Sequence, residues 1–149
     1  MKFTGKAVVA VAAVGLAAGA AIGAGPANAA SLHGAIAFSA EDWIYGTAVD
    51  AMSPDEAIDA ALANCSSDGA SDCVVMVTWS DGCGALVYSD DAAGTATAVG
   101  TGAGRDRATA LRGAYASLAE YYPLAMLANV GSADMSQTGI SEVVCTGNA

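Results

Sequence analysis

Two stretches of this sequence, fifty residues apart, are nearly alike, and this internal repeat limits the possible folds more than any other feature. GAIAFS at 34–39 aligns with GALVYS at 84–89, and Ala48-Val49 then falls on Ala98-Val99. A fixed period of this length indicates one supersecondary unit used twice. We expect a single domain over residues 30–149, with a first unit at about 34–83 and a second at about 84–145.

Each unit has the pattern of a β-hairpin followed by a helix and a returning strand. In the first unit, GAIAFS and WIYGTAV are short strand-like runs on either side of a polar turn at 40–42. In the second unit, a turn at 90–94 precedes TATAVG. The pattern predicts an α+β fold in which two pseudo-repeated ββαβ units form antiparallel sheet with two packed helices, stabilised by disulfides.

The first helix is predicted to begin just after Ser53. Ser53 can cap the helix, Pro54 suits the first helical position, and Glu56 can reach back to the Ser53 N–H. An apolar stripe with the helical period should face the sheet: Ile58, Ala61, Leu62 and Cys65. CVVMVTW, at 73–79, is β-branched and short, and predicts a buried strand.

The second helix should be longer than the first and should break or kink at Pro123. Its expected inner face consists of Ala108, Leu111, Tyr115, Leu118 and Tyr122. ISEVVC, at 140–145, reads as the closing strand. The segment between them, 121–139, shows no clear periodicity.

The first 29 residues have the layout of a secretory signal peptide. Lys2 and Lys6 precede a run rich in Ala and Val, and an Ala27-Asn28-Ala29 box closes it. We expect cleavage after Ala29 and a secreted protein, extracellular or in the cell envelope. An uncleaved membrane anchor is the alternative, because the apolar run is long enough to span.

The exported chain would be strongly acidic. It would retain three arginines and all fifteen carboxylates, a net charge of −12. Phosphate backbones and anionic lipid surfaces repel such a chain, so we expect no nucleic-acid partner and no stable membrane insertion after cleavage.

Four cysteines lie in the part that would be exported, where an oxidising compartment favours disulfides. Cys65 and Cys73 bracket the short loop SSDGASD, so we expect these two to pair, which leaves Cys83 to pair with Cys145. In the chain-entropy model the two loops contribute about 2.6 and about 4.3 kcal/mol. Zinc is the competing use, but CxxC pairs are absent.

The glycine-rich stretch AVGTGAGRDRATAL, at 98–111, invites comparison with a phosphate-binding loop. A dinucleotide fingerprint counted from Gly100 and Gly102 needs a third glycine where this chain has Arg105. We therefore expect a flexible connector between hairpin and helix. A weaker alternative is an anion site at the start of the helix, formed by Arg105, Arg107 and Arg112.

Few residues are suited to catalysis. His33 is the only histidine, and a serine or cysteine nucleophile would need it as its base. Cys83, in the glycine-flanked turn DGCGA, could be such a nucleophile, but the same turn suits a disulfide. We expect His33 to be packed at the edge of a strand, without a catalytic role.

Paired carboxylates occur in the matched hairpin turns, Glu41-Asp42 and Asp90-Asp91. Glycoside hydrolysis needs one carboxyl group in an apolar pocket, and hairpin turns are solvated. Calcium could bind loops such as SSDGASD, but the regular EF-hand spacing is missing. Large aromatic residues could form a binding patch, although we expect them to supply the core: Trp43, Tyr45, Trp79, Tyr121 and Tyr122.

The order of GAIAFS, SPDEAIDAALANC, CVVMVTW and DGCGALVYS resembles the bacterial domain-of-unknown-function family DUF4189, whose members are small secreted proteins. The resemblance is best over 34–89 and looser to Cys145. It implies a duplicated ββαβ fold with disulfides and no catalytic residue. Family members often carry further cysteines at the end of the second helix and the start of the last strand, where this chain has none.

We expect a secreted interaction module without cofactor, metal or catalytic site, which acts through a protein partner. One alternative is an extracellular calcium- or anion-binding protein. A second is a hydrolase that uses His33 or the carboxylates of the turns.

Overall fold

A computed structural model describes residues 30–149, apart from the side chains of residues 133 and 134. The predicted signal peptide lies outside the described residues. The strands are β1 His33–Ser39, β2 Ile44–Ala51, β3 Val74–Ser80, β4 Cys83–Asp90, β5 Ala96–Gly104 and β6 Thr138–Cys145. The helices are α1 Pro54–Ser66, α2 Arg107–Leu118, α3 Met126–Asn129 and α4 Ala133–Ser136, with a 3-10 turn at Pro123–Ala125.

The strands form two antiparallel sheets with the same strand order, β2-β1-β3 and β5-β4-β6. α1 packs on β1 and β2, and α2 packs on β4 and β5. The opposite faces of the two sheets pack against each other. The α+β fold class is therefore confirmed, with the strands divided between two sheets in a four-layer helix–sheet–sheet–helix stack.

The central strands β1 and β4 are buried on both faces. Ala35 and Ala37 point to α1, while Ile36 and Phe38 alternate with them and face the other sheet. β4 has the same alternation, with Leu86 in the layer between the sheets. This placement explains why GAIAFS and GALVYS are the most similar parts of the two units.

The two units do not correspond at one constant shift. Ser39 pairs with Ile44, whereas the equivalent Ser89 pairs with Ala98. Four residues lie between the first pair and eight between the second, which include a register shift between Ser89 and Asp90. The expected match of Ala48 to Ala98 is wrong for this reason.

α1 begins as predicted, with one difference in its capping contacts. The Ser53 hydroxyl accepts a hydrogen bond from the Glu56 N–H at 3.2 Å, but the Glu56 carboxylate accepts from the Met52 N–H at 2.9 Å instead of from Ser53. The buried face is also rotated from the expected stripe. It consists of Ala57, Ala61 and Cys65, and Ile58 and Leu62 are only half-buried.

The prediction of a flexible connector at the glycine-rich stretch is wrong. Residues 98–104 belong to β5, which pairs with β4 along its length. A Cβ on Gly102 would lie 2.5 Å from the Ala110 carbonyl oxygen, and one on Gly100 would lie 2.6 Å from the Leu118 nitrogen. The glycines let the α2 backbone approach β5 closely, and the stretch forms a strand instead of a loop around a phosphate.

Two other expectations need correction. β3 is an edge strand, and Val74 and Met76 are exposed, so CVVMVTW is not a buried strand. α2 ends at Leu118, before Pro123, and Ala108 is exposed. The buried residues of α2 are Ala110, Ala114, Tyr115 and Leu118.

Both expected disulfides are present. Cys65–Cys73 joins the last turn of α1 to the residue before β3. Cys83–Cys145 joins directly opposed residues of β4 and β6, with Cα atoms 3.9 Å apart. The first crosslink therefore ties the approach to β3 to the helix before it, and the second ties β6 to the central strand of its sheet.

Candidate functional site

An aromatic cleft opens where the two sheets meet. Its volume is about 190 Å³, and it receives residues from β1, β2, β4, β5, β6 and the first hairpin turn. The lining residues are Phe38, Trp43, Tyr45, Tyr88, Ala96, Val99 and Ser141. We call this site the aromatic cleft.

Trp43 is the most unusual residue of the cleft. Its backbone is left-handed, with φ of 54°, which a non-glycine residue adopts only where its surroundings enforce it. The indole meets the Phe38 ring edge to face, with centroids 5.5 Å apart and planes at 87°. The Trp43 side chain is nevertheless 42% exposed, so one part of the indole is packed and the rest faces solvent.

The turn before Trp43 is held from outside the hairpin. The Asp72 carboxylate accepts hydrogen bonds from the Ala40 and Glu41 N–H groups, both at 3.0 Å, and from the Ser39 hydroxyl. These hydrogen bonds, that of Ser39 first, lower the pKa of Asp72. Because Cys73 follows in the Cys65–Cys73 disulfide, the loop that positions Trp43 is itself crosslinked to α1.

Tyr45 connects the two sheets at the wall of the cleft. Its hydroxyl donates a long hydrogen bond of 3.4 Å to the Ser141 carbonyl oxygen. Burial, and then the negative charge of Glu142, raise the pKa of the Tyr45 phenol. The phenol therefore stays protonated and neutral at physiological pH.

Several carboxylates are close neighbours, in sequence or in strand pairing, of residues that line the cleft, although no lining residue is itself charged. Glu41 and Asp42 precede Trp43, Asp90 pairs with Ala96, and Glu142 follows Ser141. The arginines of the described residues all lie at 105–112, at the beginning of α2. The cleft therefore lies in a negative field.

The structure corrects the expected role of several aromatic residues. Trp79 is the exception, because it is a core residue as expected, only 7% exposed. Trp43, Tyr45 and Tyr121 are exposed instead of supplying the core, Tyr121 to 79%. Half-buried Tyr122 donates its hydroxyl hydrogen bond to Gln137 at 3.1 Å, within the irregular segment.

The turn carboxylates do not form a catalytic pair in an apolar pocket. Glu41 and Asp42 are exposed. Asp91 is used by its own turn, where its carboxylate accepts from the Ala93 N–H at 2.8 Å and the Thr95 N–H at 2.9 Å. Neither pair has the buried carboxyl group that glycoside hydrolysis requires.

His33 lies at the first position of β1, half-buried, between Ala51 and Ser80 on the neighbouring strands. The charged group beside it is Asp81, whose pKa is lowered first by a hydrogen bond from Asn148. Among residues 30–149 no cysteine is free, so His33 has no thiol there to activate. Cys83 forms a disulfide, which is the alternative that its glycine-flanked turn suits, and so its thiol is not a free nucleophile.

The three arginines do not converge on a common point. Arg105 Nε lies 3.2 Å from the Asp106 carboxylate, and Arg112 donates to the Thr109 hydroxyl at 3.1 Å. Arg107 lines an open cavity of about 470 Å³ beside the Cys83–Cys145 disulfide. Asp106 caps α2 by accepting from the Thr109 N–H at 2.8 Å, which lowers its pKa and places a negative charge where an anion would bind.

The part of the chain that the structure describes has neither a metal-binding cluster nor a membrane-spanning helix. Residues 30–149 contain no group of three or more His, Cys, Asp or Glu side chains that could hold a metal ion. Within the same range, no helix has the length and apolar character needed to cross a membrane.

Sequence reasoning missed two of the four aromatic residues in the cleft. Phe38 and Tyr88 occupy equivalent positions of the repeat, and strand alternation from Ile36 and Leu86 would have placed both in the layer between the sheets. The cleft combines side chains from both units.

Comparison with known proteins places the chain in a family. No curated protein and no solved structure matches it significantly. A family model described as "Domain of unknown function (DUF4189)" matches residues 33–123, which include both hairpins and both long helices. The chain therefore belongs to the DUF4189 family, a domain of unknown function with two disulfides in this member.

Proposed function

We propose that this protein is a secreted, non-catalytic interaction module that binds a protein partner at the aromatic cleft. The observation that carries the proposal is Trp43, a large apolar side chain held half-exposed by a left-handed backbone and an anchored turn. Strained residues of this kind cluster at binding and switch sites, where the surrounding structure enforces them. Trp and Tyr are also the residues most enriched among interface hot spots.

The size of the cleft supports a protein partner. Pockets for drug-sized molecules occupy about 300–1,000 Å³. A cleft of about 190 Å³ between two sheets is better matched to one side chain of a partner surface. The exposed rings of Trp43 and Tyr45 would then form the contact around that side chain.

Export is supported by the leader-like first 29 residues and by the two disulfides, because such crosslinks persist in oxidising compartments. Secretion would place the partner in the cell envelope or outside the cell. N-terminal sequencing of protein recovered from the culture medium tests this part of the proposal, with Ala30 as the expected first residue.

The binding part is tested by photo-crosslinking in the producing culture. A benzophenone amino acid replaces Tyr45 in one variant and Tyr121, an exposed tyrosine that does not line the cleft, in a control. We expect a discrete crosslinked protein from position 45 that disappears when Trp43→Ala is added, and none from position 121. Equal crosslinking at both positions, or none at position 45, would overturn the proposal.

A further inference from the structure

The chemistry of the aromatic cleft specifies its partner more closely than size alone. We infer that the cleft receives an arginine side chain from a basic segment of the partner protein, held between the Trp43, Tyr45 and Tyr88 rings within the acidic surroundings of the cleft. This inference rests on the proposed function and names the chemistry of the side chain that binds there.

The aromatic lining of the cleft favours a cation. Four of its seven residues are aromatic, and a cation over an aromatic face is attracted by the electron density of the ring. Trp is the strongest partner in such contacts, and the Trp43 ring is both fixed against Phe38 and partly open to solvent. The Trp43 ring is therefore positioned against Phe38 before a ligand arrives.

The negative charges around the cleft also favour a cation. The described residues carry three arginines against fifteen carboxylates, a net charge of −12. Glu142 acts on Tyr45 electrostatically, and Glu41, Asp42 and Asp90 lie next to cleft positions. A cationic side chain gains from this field, whereas an apolar side chain gains only burial and an anionic one is repelled.

Hydrogen-bond acceptors at the wall of the cleft favour a ligand group with several donors. The Ser141 carbonyl oxygen and the Tyr45 hydroxyl oxygen lie 3.4 Å apart, and both atoms are hydrogen-bond acceptors. A guanidinium group carries five donors, is planar and stacks on aromatic rings, and it is less strongly hydrated than an ammonium group. Arginine therefore fits these walls better than lysine.

The test uses the purified, oxidised protein and three peptides that differ at one residue. The sequence is acetyl-Gly-Ser-Xaa-Gly-Ser-amide, made by chemical synthesis, with arginine, citrulline or lysine at Xaa. Binding is followed in every variant by backbone amide shifts, and in those that keep Trp43 also by intrinsic tryptophan fluorescence, to which Trp43 and the buried Trp79 both contribute. Citrulline has the shape of arginine without its charge, so it isolates the cationic contribution.

We expect the arginine peptide to bind about tenfold more tightly than the citrulline peptide and more tightly than the lysine peptide. Trp43→Ala should weaken arginine binding about tenfold, and Tyr121→Ala should leave it unchanged. Glu142→Gln should weaken it about two- to fivefold, while Glu120→Gln, an exposed control beyond the end of α2, should not. Near-ultraviolet circular dichroism verifies that each variant is folded.

The two proposals fail in different ways. Equal affinity for the arginine and citrulline peptides would overturn this inference, and crosslinking at position 45 would still support a protein partner. No binding of the arginine peptide at millimolar concentration would also overturn it. Arginine binding that Trp43→Ala and Glu142→Gln leave intact would place the contact outside the cleft and overturn it as well.

Discussion

Gly84 lies against the benzene ring of Trp79, so close that a Cβ on residue 84 would fall 2.5 Å from Cε3 and 2.6 Å from Cη2. Gly34, fifty residues earlier, has the same relation to the other side of the indole, with its Cβ position 2.8 Å from Nε1. A single tryptophan therefore fills the layer between the sheets in the space that two equivalent glycines leave open.

Gly84→Ala is expected to lower the free energy of unfolding by about 1–3 kcal/mol, because the added methyl group would overlap the Trp79 ring. Urea denaturation followed by far-ultraviolet circular dichroism measures this loss. Combining the change with Trp79→Phe provides the control, since the smaller ring leaves room for the methyl group. We expect the double variant to be more stable than the two separate losses predict, and strict additivity would contradict the contact.

The glycines under α2 lead to a pair of opposite expectations. Gly102→Ala should destabilise the protein by at least about 2 kcal/mol, because its methyl group would overlap the backbone of α2. Gly113→Ala, on the facing helix, meets only ordinary contacts at 3.4 Å or more and should stabilise by about 0.5–1 kcal/mol through helix propensity. Thermal unfolding of the two variants measures both effects. A loss of stability in both would show that the helix has no room to accept either methyl group.

The internal repeat, with its turn residues, helix cap and cysteines, was enough to predict the hairpins, the position of α1, the closing strand and both disulfides. These features depend on local chemistry, such as the Ser53-Pro54 helix start, or on cysteine spacing. The faces of the helices were predicted less well. The buried side of each helix is set by alanines that fit against Gly46, Gly100 and Gly102, and such close packing has no signature in hydrophobic periodicity.

The aromatic cleft could be predicted only in part. Trp43 and Tyr45 were visible in the sequence, but in an alanine-rich chain they were assigned to the core. Their exposure depends on the left-handed backbone at Trp43 and on Asp72, which lies thirty-two residues from the Ala40 N–H that it binds. Long-range contacts of this kind are not contained in a local pattern.

The two disulfides should contribute unequally to stability. The sequence separation is 62 for Cys83–Cys145 and 8 for Cys65–Cys73, so the chain-entropy model gives about 4.3 kcal/mol for the longer loop and about 2.6 kcal/mol for the shorter one. Cys83→Ser/Cys145→Ser should therefore lower the unfolding free energy more than Cys65→Ser/Cys73→Ser does. Denaturation in urea of the two double variants measures the difference. The reverse order would mean that the short loop at Asp72 contributes more through its native contacts than through its closure.

Asp72→Asn is expected to lower the stability of the protein and to change the surroundings of Trp43. The hydrogen bond from Ser39, followed by that from the Glu41 N–H, lowers the pKa of Asp72 in the folded state. A lowered carboxyl pKa adds stability above the unfolded value of about 3.9, and that stability is lost as the pH falls through the folded pKa.

The melting temperature of Asp72→Asn should therefore be lower than that of the wild type at pH 7, and the difference should shrink below about pH 4. Asp68→Asn, an exposed change in the same disulfide loop, is the matched control and should follow the wild type throughout. Intrinsic tryptophan fluorescence should shift in Asp72→Asn at neutral pH, because the turn that holds Trp43 loses its charged anchor while the core residue Trp79 keeps its surroundings. A melting difference that stays constant from pH 7 to pH 2 would instead assign the effect of Asp72 to shape alone. In that case the loop between Cys65 and Cys73 would hold the turn through its shape, and the position of Trp43 would not depend on pH.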